Sequence, residues 1–364
     1  MASNDGSPSS GLYPGEILDT IAGFPTIYHY QPALNPTIEK PLIVCVTGGL
    51  HLARIFYGGH DGYNPKDFLS HRLAELGFGV LSLSYPTETT PPIMPLTGAA
   101  FRLYDWGLQA AETVKRVIER NGLSRSVVLI SWSMGGRMVV PFNMSAKERG
   151  ITVEQYIGFA ATPGISRIRP LPPGMVCSSV GYFHVPSHTG AFYQQLKEMA
   201  EYTGHEIIPR EIYLREYIGG TPINLVGMGL KYDGRSSFIR DEVPHEQDSQ
   251  VFNISNLPLI SSIYPTSILD ARHALSDKAT WGFLLTYAIE VRLSGTALLK
   301  TQDQPKWQSL MNLVHEAPNR LSAPVGGNHF FFAGEKGAQE TADQIERLLQ
   351  ERKSIENEIS DLGS

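Results

Sequence analysis

The chain has 364 residues, 42% of them hydrophobic and 18% charged, a composition ordinary for a globular protein with a large core. Its formal net charge is −6 and it has no Lys/Arg cluster, which argues against a nucleic-acid-binding surface. No apolar stretch is long enough to span a membrane, and two cysteines do not indicate an oxidising compartment. We therefore expect no nucleic-acid partner and no membrane span.

The amino terminus has neither the basic start nor the apolar core of a secretory signal. We interpret residues 1–20 as a disordered leader and expect a cytoplasmic location. The first strong pattern is an apolar run from Pro41 to Val46 that ends in two glycines, Gly48 and Gly49. This pattern predicts a buried strand followed by a turn whose backbone amides are not shielded by bulky side chains.

Apolar strands and amphipathic helices then alternate along the chain. Apolar residues recur at helical spacing over 68–76, residues 79–85 read as a strand, and a second helical face covers 103–117. This alternation predicts an α/β fold with a mostly parallel sheet, because parallel strands need a crossover helix between them.

The most informative segment covers residues 126–137, where an apolar strand runs directly into a small-x-Ser-x-Gly turn and a helix start. The central residue is Ser133, and the small residues on either side are Ser131 and Gly135. Such a turn keeps the central hydroxyl exposed at the carboxyl end of a strand, where ligands bind in α/β sheets. The sequence therefore predicts a nucleophile elbow at Ser133, with serine replacing the usual first glycine.

After a helix over 138–146 and a strand over 156–161, the alternation stops. Three prolines interrupt residues 170–173, and helical patterns follow at 190–203, 209–218 and 269–293. We interpret residues 165–290 as a mainly helical cap, or lid, domain inserted into a core formed by residues 21–164 and 291–364. A lid of this size would shape the substrate site, and it could also support a homodimer.

The last part of the chain contains a histidine on a glycine-rich loop, His329, followed by an aromatic run. Asp303 precedes it, with room between the two for one helix and one strand, the strand over 319–323. In folds with a nucleophile elbow, the acid and then the histidine follow the serine along the chain. Asp303 is the predicted acid, and Asp270, expected to lie in a helix, is the alternative.

Together these segments resemble the α/β-hydrolase superfamily. The resemblance rests on Thr47-Gly-Gly, on the elbow at residues 131–135, on Asp303 and on Gly-Gly-Asn-His ending at His329. It implies a catalytic triad of Ser133, Asp303 and His329. It also implies an oxyanion hole built from the amides of Met134 and of Gly49, with Leu50 as the alternative to Gly49.

The residues give no reason to expect a cofactor. His184 and His188 are separated by a proline, and the sequence around His245 lacks a third ligand at a recognisable spacing. No glycine pattern fits a dinucleotide or a phosphate loop. We therefore predict neither a cofactor nor a metal.

The expected function is that of a serine hydrolase acting on a small-molecule carbonyl substrate: an ester, a lactone, a thioester or an activated C–C bond. Leu50, His51 and Trp132 are the candidate pocket residues. Aromatic residues of the predicted cap would suit an aromatic or polyketide-like substrate; they are Tyr182, Phe183, Phe192, Tyr193, Tyr213, Tyr217 and Trp281. The alternative is a non-hydrolytic protein of the same fold: a cyclase, an acyltransferase or a small-molecule binder.

Overall fold

The structure is a computed structural model that describes residues 11–36, 39–166, 168, 171, 173–227, 229–294 and 304–363. From residue 42 to residue 159, strands alternate with helices as the sequence predicts. The strands are β1 (Glu16–Ile21), β2 (Phe24–Gln31), β3 (Leu42–Val46), β4 (Val80–Ser84), β5 (Ser126–Trp132) and β6 (Thr152–Phe159). The helices are α1 (Arg54–Tyr57), α2 (Leu69–Glu75), α3 (Leu103–Asn121) and α4 (Val139–Glu148).

The following segment, up to residue 258, contains only short strands and separate helices. Its strands are β7 (Val176–Cys177), β8 (Tyr182–His184), β9 (Thr221–Pro222), β10 (Leu230–Tyr232) and β11 (Phe238–Arg240), which form two small antiparallel sheets. Its helices are α5 (Pro186–Thr203), α6 (Arg210–Ile212) and α7 (Glu242–Ser249). We call residues 160–258 the insertion.

The chain then returns to the main sheet. The remaining elements are β12 (Leu259–Pro265), α8 (Ala271–Leu293), α9 (Gln304–Arg320), β13 (Ser322–Val325) and α10 (Glu335–Gly363). The main sheet has eight strands in the order β1-β2-β4-β3-β5-β6-β12-β13. Its strands from β4 to β13 pair in parallel, and β1 and β2 are antiparallel at one edge.

Burial of the central strands explains why the sequence patterns were clear. Every residue of β3 and β4 is buried, because helices cover both faces of the sheet. The predicted fold class, a mostly parallel sheet flanked by helices, is thus confirmed. Within the described ranges, no helix combines the length and apolarity needed to cross a membrane.

The amino-terminal boundary differs from the predicted one. Residues 16–20, assigned above to a leader, belong to β1 and pair with β2. Glu16 anchors this strand, because its carboxylate accepts hydrogen bonds from Arg54 Nε at 2.7 Å and from Tyr57 Oη at 2.6 Å. The strand alternates buried and exposed residues at the sheet edge, so it lacked the continuous apolar run that identified the central strands.

The end of the predicted cap also differs. The segment assigned to the cap over 165–290 includes β12, which lies between β6 and β13 in the main sheet. Helix α8 packs against β12 and contributes buried residues such as Trp281 and Leu285 to the main core. The core therefore resumes near residue 259 rather than at 291. A single short strand after a long helical stretch does not restore the alternation that the sequence analysis relied on.

Candidate functional site

Ser133 occupies a tight turn at the carboxyl end of the central strand β5. Its φ is +53°, in the left-handed region that side chains other than glycine rarely adopt. Gly135 allows the turn, since a Cβ there would lie 3.0 Å from the Thr47 carbonyl oxygen and 3.1 Å from Cβ of Ser131. The strained backbone leaves the Ser133 side chain partly exposed to a cavity.

The serine at the first position of the elbow is accommodated by a hydrogen bond. Ser131 is fully buried, and its hydroxyl lies 2.8 Å from the hydroxyl of Tyr156 on the neighbouring strand β6. The far side of the turn is fixed by the Thr162 amide, which donates to the Ser133 carbonyl oxygen at 2.8 Å. Replacement of glycine by serine therefore leaves the elbow geometry intact.

The glycine pair after β3 lies against the elbow. A Cβ at Gly48 would approach Cβ of Ser133 to 2.8 Å, and one at Gly49 would lie 3.4 Å from the Met134 sulfur. The amide of Leu50 donates to the Thr221 hydroxyl at 2.7 Å, so this group is already used. The oxyanion hole needs a second backbone amide besides that of Met134, and the amide of Gly49 is therefore a better candidate than that of Leu50.

His329 follows β13 on a loop that the structure attaches to the elbow. The indole of Trp132, the residue before the nucleophile, donates to the His329 carbonyl oxygen at 2.9 Å. The imidazole also lies against the Phe192 ring, 6.1 Å between centroids and nearly parallel to it. These contacts hold the histidine at the cavity that contains Ser133.

The acid beside the histidine is Asp270. Its Oδ2 accepts a hydrogen bond from His329 Nδ1 at 2.7 Å. Asp303, the predicted acid, lies outside the described residues, and the position at Nδ1 that it was expected to fill is occupied by Asp270. Asp270 is the alternative acid of the sequence analysis, and with it the chain order serine, acid, histidine is preserved.

The position of Asp270 follows from β12, the strand that the sequence analysis assigned to the cap. The strand ends at Pro265, and the next amides, those of Thr266 and Ser267, donate to the Gly327 carbonyl oxygen at 3.0 and 2.8 Å. Gly327 has a φ of +120°, which favours glycine. The acid loop and the histidine loop are thus joined directly. The apolar run over 259–263 was the signal that could have identified this strand.

Helix α5 of the insertion supports the histidine loop from outside. Asn328, fully buried, donates through Nδ2 to the Gln195 carbonyl oxygen at 2.8 Å and contacts the Glu198 carboxylate. Glu198 also accepts from the Ser267 hydroxyl at 3.2 Å. One helix therefore holds both the loop that carries the acid and the loop that carries the histidine.

Ser133, Asp270 and His329 line one cavity of about 220 Å³. Of the predicted pocket residues, Leu50 lines it, whereas His51 and Trp132 are buried behind it. His51 lies 2.8 Å from both the Gly49 carbonyl oxygen and the Tyr213 hydroxyl. Burial lowers its pKa to about 3, so His51 is a neutral residue that supports the glycine turn.

The aromatic residues of the predicted cap divide into two groups. Phe183 and Phe192 line the cavity. Tyr182, Tyr213, Tyr217 and Trp281 are almost fully buried in the core, and Tyr193 lies outside the cavity lining. Only part of the aromatic set is therefore available to a ligand.

Asp270, His273 and His329 form the one grouping of candidate metal ligands found in the part of the chain that the structure describes; their ligand atoms lie within 4.8 Å of one another. Two of these residues already bond each other through His329 Nδ1. His273 Nδ1 donates to Asp277 at 2.9 Å, and the Arg272 guanidinium contacts His273 Nε2. The positive charge of Arg272 beside His273 repels a metal ion. The three residues therefore suit acid–base chemistry better than metal binding.

The strand order, the elbow after β5 and the chain order of the triad candidates are those of the α/β-hydrolase fold.

No family model and no curated protein sequence matches the chain. Similar solved structures include a thermophilic esterase from Thermogutta terrifontis, at 11% identity over 93% of this chain and 98% of that one, with a TM-score of 0.48. An esterase from Pyrobaculum calidifontis has 16% identity, coverage of 93% and 86%, and a TM-score of 0.46. The thioesterase domain from the curacin biosynthetic pathway has 12% identity, coverage of 92% and 98%, and a TM-score of 0.42.

Proposed function

From this fold and site, we propose that the protein is a serine hydrolase in which Ser133, His329 and Asp270 form the catalytic triad. The observation that carries the proposal is the Asp270–His329 hydrogen bond of 2.7 Å beside a serine held at positive φ, all three lining one cavity. A carboxylate on Nδ1 fixes the imidazole tautomer that leaves Nε2 free to accept a proton. A strained elbow with this arrangement is typical of an activated nucleophile.

The proposed reaction has two steps. His329 Nε2 accepts the Ser133 proton as Oγ forms a bond to the substrate carbonyl carbon, and the amides of Met134 and Gly49 stabilise the oxyanion. The leaving group departs with the proton from His329, which leaves an acyl-enzyme. Water then loses a proton to His329, attacks the acyl carbon and releases the acid, so that Ser133 recovers its hydrogen.

The cavity supports a small substrate with an apolar part. Leu50, Met134, Phe183, Phe192 and Val226 provide apolar lining, and the volume of about 220 Å³ limits the group that can enter in this conformation. We propose an ester, lactone or thioester as the substrate. Cleavage of an activated C–C bond would use the same nucleophile and the same oxyanion hole.

The test is turnover of a series of p-nitrophenyl acyl esters by the wild type, Ser133→Ala and Ser131→Ala. We expect Ser133→Ala to lower kcat by about 10³-fold or more, because the nucleophile is removed. Ser131→Ala, a matched control in the same turn, loses only the hydroxyl that contacts Tyr156 and keeps most of the activity. Equal activity of wild type and Ser133→Ala would contradict covalent catalysis, and turnover of no ester would favour a binding protein.

A further inference from the structure

More arginines than carboxylates line the catalytic cavity. Two arginines line it, Arg137 and Arg272, and one carboxylate, Asp270. That carboxylate is already bonded to His329. The chain as a whole has a net charge of −6, so the balance at the cavity is opposite to that of the protein. Of the two arginines, Arg272 is the exposed one, and an exposed guanidinium at a cavity attracts anionic ligands.

Arg272 is held in a defined position at this cavity. It lies in the first turn of α8, and its Nη2 donates to the Thr162 hydroxyl at 3.0 Å. The same nitrogen contacts His273 Nε2, whose ring is fixed by the 2.9 Å bond from Nδ1 to Asp277. Thr162, His273 and Asp277 are all buried. Buried groups therefore orient the guanidinium, although the arginine side chain is accessible from the cavity.

The hydrogen-bond partners of Arg272, Thr162 and His273, are not carboxylates. Across the described ranges, no carboxylate oxygen lies within ion-pair distance of its guanidinium, whereas Arg54, Arg320 and Arg352 each pair with a glutamate. Asp277 is reached only through the His273 ring, and burial raises the pKa of its carboxyl to about 8, which weakens it as a counter-ion. The contacts of Arg272 with Thr162 and His273 use Nη2, so the guanidinium keeps further donors for a ligand.

We propose that Arg272 binds a carboxylate of the substrate, so that the preferred substrates are esters or thioesters of acids that carry a second, anionic group. This inference deepens the proposed function and rests on it. The guanidinium lies two residues from Asp270 and lines the same cavity as Ser133, so a carboxylate bound there belongs to the same small molecule as the scissile carbonyl. Charge-assisted hydrogen bonds from a guanidinium to a carboxylate are strong and directional.

The experiment compares two esters of equal acyl length: the mono-p-nitrophenyl ester of glutaric acid and p-nitrophenyl pentanoate. We expect Arg272→Gln to raise KM for the anionic ester by about tenfold or more, with little change in kcat. Hydrolysis of the neutral ester should change little. Arg272→Lys should retain part of the preference, and added salt should reduce it. Arg235→Gln, which removes an exposed arginine, is the matched control for charge.

Glutarate binding to the Ser133→Ala variant, measured by calorimetry, gives a readout independent of turnover. Binding that disappears when Arg272→Gln is added supports the inference, even where the esters are not hydrolysed and the proposed function fails. An equal loss of activity on both esters, with unchanged glutarate binding, overturns the inference and makes Arg272 a residue that positions Asp270 or His273. In that case the proposed hydrolase activity still stands.

Discussion

Nδ1 of His329 donates to Oδ2 of Asp270 at 2.7 Å, across 59 residues of sequence. The bond joins the loop after β12 to the loop after β13, and the same two loops are linked by backbone hydrogen bonds to Gly327. The acid and the base are therefore brought together beyond the carboxyl ends of two neighbouring parallel strands. Because the Ser133 elbow also follows the carboxyl end of a strand and lines the same cavity, the hydrogen bond belongs to the proposed active site.

The identity of the acid is tested by Asp270→Asn and Asp303→Asn. The first replaces the carboxylate by an amide and allows the wrong histidine tautomer, so we expect kcat to fall by about 10³- to 10⁴-fold with a small change in KM. Asp303→Asn should keep near-wild-type kcat. Steady-state kinetics on one ester measures both. A large loss in Asp303→Asn with normal activity in Asp270→Asn would restore the acid that the sequence suggested.

Asn328 should matter for both stability and rate, since its amide links the histidine loop to α5. Asn328→Ala removes these bonds and leaves buried partners unsatisfied, for an expected loss of about 1–3 kcal/mol in the free energy of unfolding. A looser His329 should also lower kcat. Asn312→Ala, at an exposed position on α9, is the control for denaturant unfolding and kinetics. Unchanged kcat in Asn328→Ala would show that the loop keeps its position without α5.

Glu16 tests whether the first strand is part of the folded core. The Glu16–Arg54 pair is buried, so Glu16→Ala leaves an arginine without its carboxylate, and we expect a loss of about 3–5 kcal/mol. The exposed pair Glu119–Arg125 is the comparison, and Glu119→Ala should change stability by less than about 0.5 kcal/mol. Urea denaturation of both variants measures the difference. Equal free energies of unfolding for Glu16→Ala and Glu119→Ala would mean that β1 contributes little to the stability of the fold.

His51 should make stability depend on acidity. Burial lowers its pKa from 6.5 to about 3 in the folded chain, so between these values the unfolded chain takes up a proton that the folded chain refuses. The free energy of unfolding has its full value with respect to His51 above pH 6.5. It decreases as the pH falls, and at pH 4 the loss due to His51 is about 3 kcal/mol. His51→Gln should therefore show a shallower decrease of stability between pH 6.5 and 4 than the wild type. Parallel pH curves for the two proteins, with exposed His315→Gln as the control, would contradict this explanation.

The sequence was most informative where a local pattern determines the local structure. The elbow at Ser133 combines an apolar strand with small residues at fixed spacing, and the glycine pair at Gly48 and Gly49 follows another fully buried strand. Both could be located because the backbone geometry requires particular residue types at particular positions. His329 was identifiable for the same reason, through the glycines that precede it.

Asp270 was not the preferred acid from sequence, because its hydrogen bond to His329 joins distant segments of the chain. Both aspartates follow an apolar stretch and precede a helical pattern, and Asp303 was preferred because Asp270 was expected to lie in a helix. The contact depends on the parallel pairing of β12 with β13. This pairing joins segments that are far apart in the chain, so one amino-acid sequence does not reveal it. The same holds for Arg272, which the sequence placed within a cap helix and the structure places at the cavity.

The most direct test of the triad is intact-mass analysis of the protein after reaction with a fluorophosphonate, for the wild type, Ser133→Ala and His329→Ala. We expect a single adduct on the wild type, mapped to the peptide that contains Ser133, and its loss in both variants, because an unactivated serine is a weak nucleophile. A wild type that is folded but forms no adduct, or an adduct that persists in Ser133→Ala, would contradict the proposed triad.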